Sequence, residues 1–156
     1  KDWKKVFWLI TFFTLGHTFT LLLSVYKVFT FNMSVVEFLI PLTIFLTALL
    51  NIVFQKKPKI TMSANIWAAF IFGMIHGLGF SSYFQLMVGK SAAKLLPLLE
   101  FAIGIEVAQI AIVIITLFLG LVFQNVFKVS KRDWILMVSS LVAGITIPMM
   151  IERVFW

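Results

Sequence analysis

Residues Leu95 to Phe123 read LLPLLEFAIGIEVAQIAIVIITLFLGLVF. Glu100 and Glu106 are the only charged groups in the stretch, and no Lys, Arg or His interrupts it. A helix on the surface of a water-soluble protein needs a polar face, which this segment lacks, and about 20 such residues already cross the ~30 Å hydrocarbon core of a bilayer. The stretch therefore reads as a membrane span. Working outward, four more apolar runs have the same character: Lys5 to Tyr26, Val35 to Phe54, Asn65 to Val88 and Trp134 to Phe155. Charged and turn-forming residues part them. Because a spanning backbone must satisfy its own hydrogen bonds, each run is predicted to be helical. The fold class is all-α, a polytopic transmembrane helical bundle. Its five spans, approximately 5–26, 35–54, 65–88, 95–123 and 134–155, belong to a single transmembrane domain over 1–156.

Composition supports this reading. The chain is 62% hydrophobic and 12% charged, whereas soluble domains carry about 25% charged residues; a water-soluble fold is excluded. Cysteine is absent, which excludes disulfides, thiolate metal sites and iron–sulfur clusters. The net charge of +7 would suggest a nucleic-acid partner in a soluble protein. Here the cations sit at segment ends, so the expected partner is the lipid bilayer and its anionic headgroups, with no nucleic acid. Lys1, Lys4, Lys5, Lys56, Lys57, Lys59, Lys128, Lys131 and Arg132 fall on one side, against Lys27, Lys90, Lys94 and Arg153 on the other. Since cytoplasmic loops are enriched in Lys and Arg, the start of the chain is predicted to be cytoplasmic and the C-terminus periplasmic, in a multi-pass protein of a bacterial inner membrane. Trp3, Trp8, Trp134 and Trp156 fall near span ends, where an indole suits the headgroup layer; Trp67 reads equally as a packing residue.

Ionisable groups within the bilayer are costly and need a partner or a purpose. His17 lies eleven residues beyond Val6, His76 ten beyond Ile66 and Glu106 eleven beyond Leu95. At 1.5 Å rise per residue these offsets put all three at roughly 15–17 Å, half the thickness of the core. Two imidazoles and a carboxylate at one depth suit a divalent transition metal, with the carboxylate supplying neutralising charge. Gln109, three residues after Glu106 on the same face, is positioned to orient that carboxylate. Thr14, three before His17, is positioned to bond its second ring nitrogen. Each group read singly also suits an interhelical hydrogen bond with no metal at all.

Around His76 lie three glycines, Gly73, Gly77 and Gly79, small residues that let a neighbouring backbone approach closely, with Gly73 and Gly77 forming a small-xxx-small pair. They read either as tight helix packing or as a break in the helix that exposes carbonyls to an ion. Glu37 and Glu100 lie near the outer ends of their spans, Glu100 as an attractor of cations at the outer mouth. Asn51, toward the opposite end of the second span, reads as an exit-side ligand or as an interhelical bond. Pro148 is expected to kink the last helix. The methionines read as core, since Met149 and Met150 are adjacent and face different directions. No zinc-protease H-E-x-x-H, G-x-S-x-G elbow or phosphate-binding loop occurs. Ser81 and Ser82 are spaced wrongly from His76 for a serine intramembrane hydrolase, so the protein is not expected to be an enzyme. A bis-histidine haem between His17 and His76 would announce itself by visible absorbance.

Four segments in order carry a resemblance: Thr11-Phe-Phe-Thr14-Leu-Gly16-His17-Thr18-Phe-Thr20, then Val36-Glu37 with Asn51, then Phe72-Gly73-Met-Ile-His76-Gly77-Leu-Gly79-Phe80, then Gly104-Ile-Glu106-Val-Ala-Gln109. Together they resemble the HupE/UreJ family of bacterial membrane proteins. The resemblance implies an inner-membrane protein associated with nickel or cobalt uptake, with His17, His76 and Glu106 as the polar centre of the permeation path. Members of that family begin with a further helix bearing an Asp-His pair, which this chain lacks. Its opening Lys1-Asp2-Trp3-Lys4-Lys5 resembles the loop that would follow such a helix, so six spans are expected if one precedes it.

The sequence thus predicts a secondary permease for a divalent metal, nickel or cobalt, as transported cargo rather than as a permanently bound cofactor. His17, His76 and Glu106 would be the ligands, supported by Gln109, Thr14, Glu100 and Asn51. The alternative is a non-transporting subunit or scaffold whose polar residues pack helices or hold a partner, either further membrane subunits or copies of the same chain.

Overall fold

The computed structural model of the protein describes residues 3–28, 31–54, 61–88 and 94–154. Lys1, Lys56, Lys57, Lys59 and Lys90 of the charge comparison, and Trp156, lie outside them. Five helices make up the fold: α1 (Trp3–Val25), α2 (Met33–Val53), α3 (Met62–Val88), α4 (Leu95–Asn125) and α5 (Lys131–Glu152). Their bounds follow the five expected spans to within three residues. All five are long and apolar enough to cross a membrane, and no strand occurs among the described residues.

Local chemistry sets several helix ends. Asn32 accepts the Ser34 amide at 3.1 Å and starts α2. Ser130 starts α5 by accepting the Asp133 amide at 3.1 Å, while its hydroxyl donates to the Asp133 carboxylate at 2.7 Å. This Ser-x-x-Asp arrangement satisfies a first-turn amide and sets negative charge at the positive end of the helix. At the end of α1, Lys27 takes up a left-handed conformation (φ 54°). There the Val28 amide reaches back to the Leu23 carbonyl at 3.0 Å and the Lys27 amide to Ser24 at 3.0 Å, which closes the open carbonyls of the last turn. Pro97 occupies the first turn of α4, where its missing N–H costs nothing. Pro41 and Pro148 lie inside α2 and α5, and both helices continue past them.

The helices close into a ring in the order α1, α3, α2, α5, α4, each packing against its two neighbours. The α1–α3 seam is by far the most extensive, followed by α2–α5, and the α4–α5 seam is the thinnest. Glycine makes the first seam possible. A Cβ on Gly16 would collide with the backbone carbonyl of Phe70, one on Gly73 with that of Phe13, and one on Gly77 with that of His17 and the Thr20 hydroxyl. The two backbones are therefore in direct contact across the seam. Dispersion, unaided by any hydrophobic drive between helices in lipid, favours such contact. Thr20 adds an interhelical hydrogen bond to the Met74 carbonyl at 2.9 Å, and the Gln85 amide donates to the Ser24 hydroxyl at 3.2 Å. Gly79 instead faces the Ile40 side chain of α2.

Polarity is distributed inside out. Buried side chains include Thr14, His17, Thr20, Ser24, Thr43, Ser81, Ser139 and Thr146, while Ile103, Val107, Leu121 and Leu141 stand exposed. An apolar exterior is what a lipid solvent calls for. Trp3, Trp8 and Trp67 are exposed. Trp134, at the start of α5, is half-buried in the α4–α5 seam, beside Phe123 at 5.0 Å between centroids and packed over Gly120. The small Gly120 surface leaves room for the indole there.

Gly73→Ala or Gly77→Val is expected to destabilise the bundle by about 1–3 kcal/mol, because the obstructing atoms are backbone and cannot swing aside. Gly104→Ala and Gly144→Ala, where a Cβ would meet nothing within 4 Å, should be tolerated. Thermal unfolding of the four variants in detergent, followed by helical circular dichroism, checks the contrast.

Candidate metal-permeation site

The glycine seam fixes where the imidazoles lie. His17 sits next to Gly16 on α1, and its carbonyl is pressed against Gly77, which follows His76 directly on α3. The two histidines are thereby held at nearly the same depth. His17 is only 2% exposed. Its ring is caged by Phe13, Phe80 and Phe101 at centroid distances of 6.4, 5.6 and 5.8 Å. Within this cage the buried Nδ1 has no hydrogen-bond partner, a condition that ordinarily costs stability and that calls for a ligand or a water.

His76 has a different environment. Its Nδ1 lies 2.7 Å from the Phe72 carbonyl one turn earlier. Only a protonated nitrogen can satisfy that geometry, so in the neutral ring Nε2 carries the lone pair and is the nitrogen able to bind a cation. His76 lines a cavity of about 290 Å³ inside the ring, together with Phe13, Thr43, Thr47, Asn51 and Ser139. Asn51 is two residues from the end of α2 and is exposed, so the cavity lies toward the face at which α1 begins. A second crevice, about 310 Å³, lies toward the opposite face and is lined by Phe84, Met87, Val88, Pro97, Glu100 and Phe101. Glu100 thus lines a crevice at the end where α4 begins, and Asn51 shares a cavity with His76.

Glu106 and Gln109 are arranged differently from the expectation. The Thr11 hydroxyl donates to Glu106 Oε1 at 2.9 Å, and the Thr14 hydroxyl donates to Gln109 Oε1 at 3.2 Å. Gln109 therefore pairs with Thr14 rather than orienting Glu106, and Thr14 serves Gln109 rather than the free nitrogen of His17. These two bonds, from positions three residues apart on each of the antiparallel helices, cross between α1 and α4 and direct the carboxylate to α1. Among the described residues, no group of three His, Asp or Glu side chains stands close enough to hold a metal ion. His17 and His76 share a level, but Glu106 does not: it is bonded to Thr11 and lies five residues beyond Phe101, the α4 residue facing His17, roughly 8 Å nearer the start of α1. Phe13 lies against both imidazoles, 6.4 Å from His17 and 5.2 Å from His76 between ring centroids.

Gly73 and Gly77 pack helices, and α3 runs unbroken past them from Met62 to Val88, so no broken turn exposes carbonyls there. Sequence reasoning gave no role to Thr11, Phe13, Phe80 or Phe101. Spacing gave no signal for Thr11's partner: it lies three residues before Thr14, as Glu106 lies three before Gln109, but between antiparallel helices that register would set Thr11 opposite Gln109 and Thr14 opposite Glu106, whereas the observed bonds cross.

A closed ring of apolar spans with imidazoles and hydroxyls inside it defines a polytopic α-helical membrane protein. The HupE / UreJ protein family matches residues 1–153, and the chain belongs to that family, which is of transporter rather than enzyme type and connected with nickel and cobalt transport. No curated protein and no solved structure matches the chain.

Thr11→Val removes the donor to Glu106 and should lower stability by about 1–3 kcal/mol, the cost of a buried acceptor left without its partner. Thr11→Ser keeps the hydroxyl and should stay near the parent. Denaturation midpoints of both variants, with and without Glu106→Gln, measure the coupling.

Proposed function

We propose that the protein is a secondary permease for a divalent transition-metal ion, nickel or cobalt, which passes through the ring of helices by way of His17 and His76. The observation that carries this reading is the pairing of two unlike imidazoles. One is sealed among phenyl rings with an unpartnered nitrogen, and the other borders a cavity whose otherwise apolar wall carries three hydroxyls and an amide. Helix packing alone has no need of an unsatisfied ring nitrogen. Neutral imidazole is a favoured ligand for nickel and cobalt.

Glu106 contributes negative charge to the path while bonded to Thr11, and it reaches the cation only in an arrangement that releases that bond. Glu100 gathers cations at the opposite mouth, and Asn51 receives them on the side where α1 begins, which the excess of Lys and Arg suggests is cytoplasmic in a bacterial inner membrane. The metal is cargo in this scheme, and two access states around a fixed centre would move it.

The rival reading is a non-transporting membrane subunit. It draws on the Thr11–Glu106 and Thr14–Gln109 bonds, which serve as helix-packing bonds without any metal. Uptake of nickel or cobalt in a transport-deficient host separates the two. Expression of the parent chain should raise uptake, His17→Ala and His76→Ala should abolish the increase, and Glu106→Gln should reduce it. Uptake unchanged in all three variants removes these residues from transport, and co-purification with other membrane chains in the absence of any uptake would favour the subunit.

A further inference from the structure

Resting on the transport reading above, we propose that His17 and His76 are two successive stations of one imidazole each for a divalent cation, and that the ring of Phe13 is the movable barrier between them. Seen from the cavity, Phe13 and His76 form its wall and His17 does not. His17 lies behind Phe13, in contact with its ring, and is sealed on its other side by Phe80 and Phe101. Phe101 in turn stacks on Phe84 at 5.4 Å, and both rings line the crevice that holds Glu100. The His76 station thus communicates with the cavity, and the His17 station is closed toward both mouths.

The seam that fixes the imidazoles also decides what can move. The Phe13 carbonyl is pressed against Gly73, so its backbone has no freedom to retreat from α3. The soft coordinates left are the two side-chain torsions of Phe13, which exchange between staggered rotamers. Rotation of the ring would join the unpartnered Nδ1 of His17 to the space beside His76. A cation arriving there satisfies a nitrogen that nothing in the resting arrangement satisfies.

The chain has no cysteine, so single-cysteine variants report directly on access. Sealed membrane vesicles of each orientation are treated with a membrane-impermeant maleimide. His76→Cys should label from the face at which α1 begins. His17→Cys should label from neither face, and should become labelled from that same face when combined with Phe13→Ala. Phe13→Leu, which keeps an apolar side chain and perturbs the fold less, should give partial labelling. Nickel ions should slow the labelling of Ser139→Cys in the parent background and not with His76→Ala. If His17→Cys labels as fast as His76→Cys while Phe13 is present, or stays unlabelled with both Phe13 variants, the barrier is overturned. Absence of nickel protection overturns the stations. These readouts do not depend on turnover, so failed uptake with an intact labelling pattern would strike the transport reading and leave the barrier standing.

Discussion

Backbone contact between α1 and α3 is the constraint on which the rest of the structure depends. Gly16, Gly73 and Gly77 each present a bare Cα to a carbonyl of the opposite helix, and any side chain at those positions would force the helices apart. In lipid, no hydrophobic effect drives one apolar helix onto another, so surface fit and interhelical hydrogen bonds must supply the association. Close approach provides the first, and Thr20 donating to the Met74 carbonyl provides the second. Because the seam includes the residues flanking both histidines, it determines their common depth as a consequence of packing. Site and scaffold are one feature of this chain.

The remaining helices complete an enclosure around that pair. α2 and α5 bring Thr43, Thr47, Asn51 and Ser139 to the wall facing His76. The hydroxyls of Thr43 and Thr47 donate to their own helix at Ile40 and Thr43, both at 2.8 Å, which leaves oxygen lone pairs and not donors for the cavity. That is a suitable lining for a cation. Toward the other face the wall turns aromatic, with Phe80, Phe84 and Phe101 packed on one another and on His17. A wall that is apolar but for three hydroxyls and an amide, and a wall of phenyl rings, meet at the two imidazoles.

Much of the fold was legible. Each span could be read from the length of its apolar run, and the structure moves their ends by no more than three residues. Gly73 and Gly77 announced a packing face, and the seam uses them for it. Membership of the HupE / UreJ family was carried by motifs spread along the chain, and the match over residues 1–153 bears it out. The site was legible only as a depth. Counting residues along a helix measures height in the bilayer at 1.5 Å per step; it set His17 and His76 at one level, as the seam has them, and misplaced Glu106, which lies nearer the start of α1 beside Thr11. The partners of Glu106 and Gln109 depend instead on how α4 is rotated about its own axis, and a helix apolar on nearly every side gives no stripe from which to read that rotation.

From the residues alone it follows that the five apolar runs span a membrane as helices, because a long apolar segment in lipid has no other way to satisfy its backbone. The sequence also determined which residues are small enough to pack and which are too costly to face acyl chains. Only the tertiary structure decided that Thr11 takes Glu106, that Thr14 takes Gln109, and that a phenyl ring stands against both imidazoles where a shared ion was anticipated. Those outcomes follow from the rotation and close approach of whole helices, which contacts between distant parts of the chain fix together.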